Sequence, residues 1–147
     1  MPKSVHDYVP LYFGFKTPMV ACLQNMNESI VFLRFSLDIL EIKGTIISNG
    51  NARSDNTLFR AFNTLNDLDF LDVKGIQSVK WAGDNEAKRM KQAEILITDS
   101  LPISMLLDVI CYSENARQKV LDQAKQRGIY VQVKINQGWF FTKGITT

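Results

Sequence analysis

The chain has 147 residues, with 17 Lys and Arg against 15 Asp and Glu, for a net charge of +2. Apolar residues make up 46% and charged residues 22%, the balance of an ordinary globular domain with enough chain for one hydrophobic core. That balance excludes a polybasic tail while permitting contact with nucleic acid.

One histidine and two cysteines, Cys22 and Cys111, form no CxxC pair and leave no ligand set for a structural zinc ion. Both cysteines lie in apolar runs, which predicts buried thiols in a reducing compartment. No stretch approaches the ~18 consecutive apolar residues of a membrane span. The first residues lack the apolar run of a signal peptide. The expectation is a cytoplasmic protein without membrane contact.

In chain order, Val9 to Phe15 reads as a strand of aromatic and branched residues, stopped by Lys16-Thr17-Pro18. Thr17 before Pro18 predicts a short helix to Leu23. Ile30 to Phe35 is nearly all apolar and predicts a central strand. Leu37 to Ile42 predicts one or two helical turns closed by Gly44, and Thr45 to Ile47 a further strand. Ser48 to Asn56 is the most polar stretch and predicts a loop. Between Asn56 and Phe70, the residues Leu58, Phe59, Phe62, Leu65 and Leu68 have helix-like spacing. Asp69 to Val79 reads as irregular.

Asp84 is placed to cap a helix from Asn85 to Lys91, followed by a strand from Ala93 to Ile97. Leu106 to Tyr112 reads as another strand. Ser113, with Ala116 at the third helical position, predicts a helix ending at Gly128. Tyr130 to Lys134 alternates as a half-exposed strand does, and Gly138 to Phe141 reads as a last short strand. Strands dominate without βαβ alternation. This disfavours a doubly wound parallel sheet and predicts an α+β domain around a split, mostly antiparallel β-sheet with short flanking helices.

Gln92-Ala93-Glu94 is the segment with the strongest chemical signal. On a strand, Gln92 and Glu94 share a face, and Glu94 is a carboxylate in an otherwise apolar run. Such a charge is costly unless it is paired or points into a cleft. The alternative is a solvent-facing glutamate on an edge strand. Lys88, Arg89 and Lys91 either contact nucleic-acid phosphates or form a solvated helix face beside Glu86. Trp81, Asn49 and Arg53 either stack on and bond to a splayed single strand, or serve packing and turn formation. Tyr8 and Tyr12 share a strand face, as walls of a pocket or as core residues. His6, alone before a strand, is assigned no chemistry.

Two longer segments carry a family resemblance. The first is His6-Asp7-Tyr8-Val9-Pro10-Leu11-Tyr12-Phe13 with Lys16-Thr17-Pro18-Met19. The second is Glu86-Ala87-Lys88-Arg89-Met90-Lys91-Gln92-Ala93-Glu94-Ile95-Leu96-Ile97. Asn49-Gly50-Asn51-Ala52 lies between them, and Trp139-Phe140-Phe141 follows near the end. This order resembles the DarT family of toxins, which attach ADP-ribose to thymine bases of single-stranded DNA.

The resemblance implies an NAD-dependent ADP-ribosyltransferase of the glycosyltransferase class, acting as the toxin of a toxin–antitoxin system. It implies Glu94 as the catalytic glutamate, stabilising oxocarbenium-like charge as nicotinamide leaves and helping to take the thymine's proton. It implies Gln92 as the acceptor-orienting residue, and Tyr8 and Tyr12 at the NAD pocket. Asn49, Arg53, Trp81, Lys88, Arg89 and Lys91 are the implied DNA contacts. NAD would be a substrate, no metal would be needed, and a macrodomain antitoxin would be the partner.

Family members also carry a segment upstream of the His-Asp-Tyr-Val motif, with a histidine that grips NAD and an arginine important for catalysis. The chain starts at that motif, so the expectation is one DarT-like domain over residues 1–147 lacking this NAD-binding segment. Lys16 stands where many relatives have arginine. The competing expectation is a truncated or catalytically inactive relative that binds nucleic acid or an antitoxin.

Overall fold

The structure, a computed structural model, describes residues 4–142. Its strands are β1 (Tyr8–Tyr12), β2 (Phe32–Phe35), β3 (Ile46–Ser48), β4 (Phe59–Ala61), β5 (Glu94–Thr98), β6 (Leu106–Cys111) and β7 (Val133–Ile135). The α-helices are α1 (Pro18–Cys22), α2 (Val73–Gln77), α3 (Asn85–Lys91) and α4 (Glu114–Gln126).

The strands form two sheets. The first has the order β1-β5-β3-β4 and is antiparallel throughout. The second has the order β2-β6-β7, with β2 antiparallel and β7 parallel to β6. The expected split, mostly antiparallel α+β sheet is therefore present.

Side chains alternate along each strand, and this divides the first sheet into two faces. Val9 and Leu11 of β1, Ile47 of β3, and Ile95 and Ile97 of β5 point into the main core against Ile39 and Leu40. The opposite face carries Tyr12, Glu94 and Ser48 in one cross-strand row. Tyr12 lies opposite Glu94, and the β3–β5 register brings Ser48 beside Glu94. The second sheet buries Val109, Cys111 and Val133 under Ala116, Val120 and Leu121 of α4.

Helix boundaries follow their caps. Asp84 accepts the Ala87 N–H at 2.9 Å to open α3, and Ser113 accepts the Ala116 N–H at 3.1 Å to open α4. The chain leaves α4 through Gly128 at φ +65°, a conformation that glycine adopts without penalty.

Five expectations are corrected. Ile30 to Phe35 is not central: β2 is an edge strand, and Leu33 on it is 55% exposed. The helix-like stretch after Asn56 becomes β4 followed by a 3-10 turn at Leu65–Phe70, because pairing with β3 overrides the spacing. Asp69 to Val79 contains α2, whose N-cap Asp72 accepts the Gly75 N–H at 3.1 Å. Gly138 to Phe141 is not a strand, because Asn136 caps a 3-10 turn at Gln137–Trp139. Of the two cysteines, only Cys111 is buried; Cys22 is exposed at the end of α1.

An ion triad ties the second sheet together. Arg34 of β2 donates twice to Asp108 of β6, at 2.9 and 2.7 Å, and Lys134 of β7 reaches the same carboxylate at 3.1 Å. Asp108 is 1% exposed, and the arginine bond holds its pKa down at about 2. A carboxylate with a depressed folded pKa adds stability above its unfolded pKa and loses it as pH falls toward the folded one. Asp108→Asn is thus expected to cost roughly 2 kcal/mol at neutral pH. The difference from the parent should vanish as pH falls from about 4 to about 2, as measured by urea denaturation across that range. A cost unchanged at low pH would refute the linkage.

Candidate active site

Glu94 is the first residue of β5, placed there by the way α3 ends. Gln92 leaves helical geometry as the C-cap of α3, and the Ala93 N–H donates to the Met90 carbonyl at 3.2 Å. The strand then begins at Glu94, whose N–H donates to Ser48 Oγ of β3 at 3.0 Å. Ser48 is fully buried, and its hydroxyl donates in turn to the Gly50 carbonyl at 2.7 Å. That bond fixes the start of the polar loop between β3 and β4.

The loop then folds back over the carboxylate. The Ala52 N–H donates to Glu94 Oε2 at 2.8 Å, while Oε1 accepts nothing from the described residues. Burial raises the Glu94 pKa above the usual carboxylate value, and the Ala52 N–H and the Arg53 charge act against that rise. Burial likewise raises the Tyr12 hydroxyl, helped by the Glu94 charge. Carboxylate and phenol therefore share one half-buried patch, with one carboxylate oxygen unbonded among the described residues.

Gln92 does not reach Glu94 along a strand as the sequence pattern predicts, because it is the C-cap of α3 and lies before β5. It meets the site through the loop, its Oε1 accepting from Asn51 Nδ2 at 3.3 Å and its Nε2 donating to the Lys88 carbonyl at 3.0 Å. Tyr8 lies at the far end of β1 opposite Thr98, four residues from Tyr12, which is about 13 Å along a strand. At 8% exposure it is a core residue and not a wall of this patch.

The other expected contacts separate sharply. Arg53 is exposed at the loop surface, and its charge acts on Glu94. Lys88 is half-buried and forms no ion pair with the described residues. Asn49 is held within the loop, its Oδ1 accepting from Leu58 N–H at 2.9 Å and from Arg89 at 3.3 Å. The Arg89 guanidinium is enclosed by Glu86, Asn49 and Thr57. Trp81 is 4% exposed, packed edge-on to Phe141 at 5.6 Å beside Val20 and Ala21, so no ring face is open to a base.

Lys91 is corrected as well. At 3% exposure it faces neither solvent nor phosphate. Its ammonium donates to the carbonyl of Ile76 at 2.5 Å and to that of Phe15 at 3.4 Å, joining α2, α3 and the segment after β1. Desolvation lowers its pKa to about 8. A lysine with a depressed folded pKa opposes folding fully below that value, and the penalty is relieved as pH rises toward the unfolded pKa.

The parent should therefore gain stability between about pH 8 and about pH 10.5, by at most roughly 3 kcal/mol because the two carbonyls favour the ammonium. Lys91→Met should lack this slope, as read from denaturation midpoints at the two pH values. Equal slopes in both proteins would refute the assignment.

Ser48 and Thr57 are the site groups that the sequence reading does not single out; Gly50 and Ala52 lie in the Asn49–Ala52 segment of the resemblance, but no role is read there for the Ala52 N–H. Ser48 could have been found by aligning β3 with β5. A backbone N–H has no signature of its own. Among the described residues, no three His, Cys, Asp or Glu side chains are grouped to hold a metal ion. No helix among them is long and apolar enough to cross a membrane.

Residues 1–141 match the family model described as DarT, ssDNA thymidine ADP-ribosyltransferase. A DNA ADP-ribosyl transferase of Escherichia coli O127:H6 is 32% identical over 155 residues, covering 95% of this chain and 69% of that protein. Two solved structures superpose with a TM-score of 0.85 at 26% identity. One is Thermus sp. 2.9 DarT in complex with ADP-ribosylated ssDNA, which covers 95% of this chain and 71% of that one. The other is the same enzyme in complex with NAD+, covering 96% and 78%. With the family model matched over nearly its whole length and a curated relative above 30% identity, the chain belongs to the DarT family of single-stranded DNA thymidine ADP-ribosyltransferases.

Proposed function

We propose that this chain transfers ADP-ribose from NAD to a thymine base of single-stranded DNA and releases nicotinamide. The observation that carries the reading is the half-buried Glu94 carboxylate across the sheet from Tyr12, gripped through Oε2 by the Ala52 N–H with Oε1 unbonded among the described residues. Family membership supports the reaction class.

In the step proposed, the bond from the ribose anomeric carbon to nicotinamide breaks, and its electron pair leaves with nicotinamide. Positive charge gathers on the ribose ring, where the adjacent carboxylate stabilises it. A thymine ring nitrogen then bonds to the anomeric carbon, and its proton passes to Glu94. Burial raises the proton affinity of Glu94 and so favours that transfer. Tyr12 offers its half-buried ring to the nicotinamide side. Gln92 orients the acceptor through the loop residue Asn51 that it holds. Arg53 and Lys88 are the cations left to meet DNA phosphates, since Arg89 and Lys91 are engaged within the fold.

The proposal extends to a cytoplasmic toxin countered by a macrodomain antitoxin. A bulky ADP-ribose on a template base would block its pairing, which supports a toxic role.

The test incubates the chain with NAD and a thymine-containing single-stranded oligonucleotide and reads added mass on the DNA. Modification by the parent that Glu94→Gln abolishes is the expected result. No modification by the folded parent, together with salt-sensitive DNA binding, would replace the catalytic reading with that of a nucleic-acid-binding relative.

A further inference from the structure

The loop that grips Glu94 has no secondary structure of its own over residues 49–57 beyond turns, yet it must hold one N–H against one carboxylate oxygen. Three of its attachments converge on one residue outside it. Arg89 Nη1 donates to Thr57 Oγ1 at 3.0 Å and to Asn49 Oδ1 at 3.3 Å, gripping the loop at both ends. The Arg89 carbonyl accepts the Asn51 N–H at 3.0 Å in the middle. Thr57 relays the grip inward, its hydroxyl donating to the Asn51 carbonyl at 2.7 Å. Asn51 Oδ1 accepts the Arg53 N–H at 3.0 Å, so the turn that contains Ala52 is closed on both sides.

The far side of the guanidinium is fixed too. Glu86, one turn earlier on α3, accepts from Nε at 3.0 Å and pairs with Nη2, and the arginine side chain is 11% exposed. A planar guanidinium spreads its donors over three nitrogens in a rigid fork, so it holds Glu86 on one side and the loop on the other, where a lysine has a single nitrogen. Gly50 shows how tightly the loop is drawn onto it. A Cβ there would lie 2.4 Å from Arg89 Nη1 and 3.0 Å from both the Arg89 carbonyl and Thr57 Oγ1.

We infer that Arg89 is a positioning residue, a staple that holds the 49–57 loop in the one conformation that presents the Ala52 N–H to Glu94. Its guanidinium is taken up by Glu86, Asn49 and Thr57, so its effect reaches the reaction through the loop. The inference rests on the proposed role of Glu94 for its catalytic meaning, but the staple itself can be tested without turnover. Besides burial, the groups that act on Glu94 are the Ala52 N–H and the Arg53 charge, and neither residue is substituted in the test.

The experiment follows the Ala52 amide by NMR in the full chain while pH is varied, beside oligonucleotide binding and transfer rate. In the parent, the Ala52 amide shift should track Glu94 ionisation, and its hydrogen exchange should be slow. In Arg89→Ala, exchange should quicken by about tenfold or more and the tracking should disappear. Transfer should fall by about tenfold to a hundredfold as the carboxylate loses its fixed geometry. DNA affinity and its salt dependence should stay within about twofold, because no phosphate contact is lost.

Gly50→Ala, which pushes the guanidinium away while keeping its charge, should reproduce the pattern. Added guanidinium ion should partly restore Arg89→Ala. If Arg89→Ala does not fold, Thr57→Val removes the relay and should show the same amide changes.

An Ala52 amide still protected and still tracking Glu94 in Arg89→Ala would overturn the inference. So would a loss of transfer explained wholly by weaker, salt-sensitive DNA binding. A parent that never modifies DNA would instead refute the proposed function, with the amide measurement still deciding the staple.

Discussion

Glu94→Gln is expected to lose ADP-ribosyl transfer by on the order of a thousandfold while making the folded protein more stable at neutral pH. Glutamine keeps the shape of the side chain and an oxygen for the Ala52 N–H, so the loop and the β5 start should be undisturbed. What it removes is the negative charge that opposes the developing charge on ribose, and the base for the thymine proton. The stability gain follows from the direction of the Glu94 shift. Its folded pKa is raised, chiefly by burial, so folding opposes ionisation.

The sign is the reverse of the Asp108 case. As pH rises from the ordinary carboxylate range through the folded pKa, the parent must carry a partly desolvated charge that the unfolded chain holds freely, and it loses stability. The glutamine variant has no such loss. Denaturation of both proteins at about pH 4 and about pH 8 should show the variant's advantage only at the higher value. Transfer measured on the same samples completes the test. A variant that keeps transfer within about tenfold of the parent would sink the assignment of Glu94. One that loses transfer and also loses stability would mean that the carboxylate is structural.

Much of this arrangement is legible before folding, wherever local chemistry decides. Asp84 and Ser113 mark helix starts because an N-cap is a bond between a side chain and an N–H three residues on. β5 and β6 are legible as apolar runs because they are the inner strands of their sheets. The reading fails where distant segments decide. Leu58, Phe59 and Phe62 fit a helical spacing, yet Phe59–Ala61 pairs with β3, and nothing within the segment announces that partner. Ile30 to Phe35 reads as central because its composition is apolar, but an edge position is set by what lies beside it.

The site divides along the same line. Glu94 is visible as a charge in an apolar run. Its grip by Ala52, 42 residues away, is a tertiary fact. The basic cluster of α3 looks like one phosphate-binding unit in sequence. Helical geometry sends its members to three environments: Lys88 half-buried, Arg89 into the loop and Lys91 into the interior.

Trp81 offers the sharpest test of that division, since the sequence admits it as a stacking platform for DNA and the fold makes it core. Trp81→Ala is expected to destabilise the protein by about 3–5 kcal/mol, a large share of the stability of a domain this size. The indole packs in one cluster with Val20 and Ala21 of α1, Ala87 of α3 and Phe141, and alanine would leave a cavity among them. Its Nε1–H is buried with no partner, so the indole carries a desolvation cost of its own. Trp81→Phe removes that unpaired donor and keeps an aromatic edge for Phe141. It should cost far less than the alanine change.

Phenylalanine also separates the two readings. It can still fill most of the core, so the variant should fold and bind a single-stranded oligonucleotide as the parent does. Urea denaturation followed by circular dichroism gives the stability, and fluorescence anisotropy of a labelled oligonucleotide gives the affinity. If Trp81→Ala proved as stable as the parent while both variants lost about tenfold or more in affinity, the tryptophan would be a base-stacking residue and the packing of α1 on α3 would be wrong. With the fold as it stands, the loss should fall on stability, and the DNA surface should be sought around Arg53, Lys88 and the exposed face of β4.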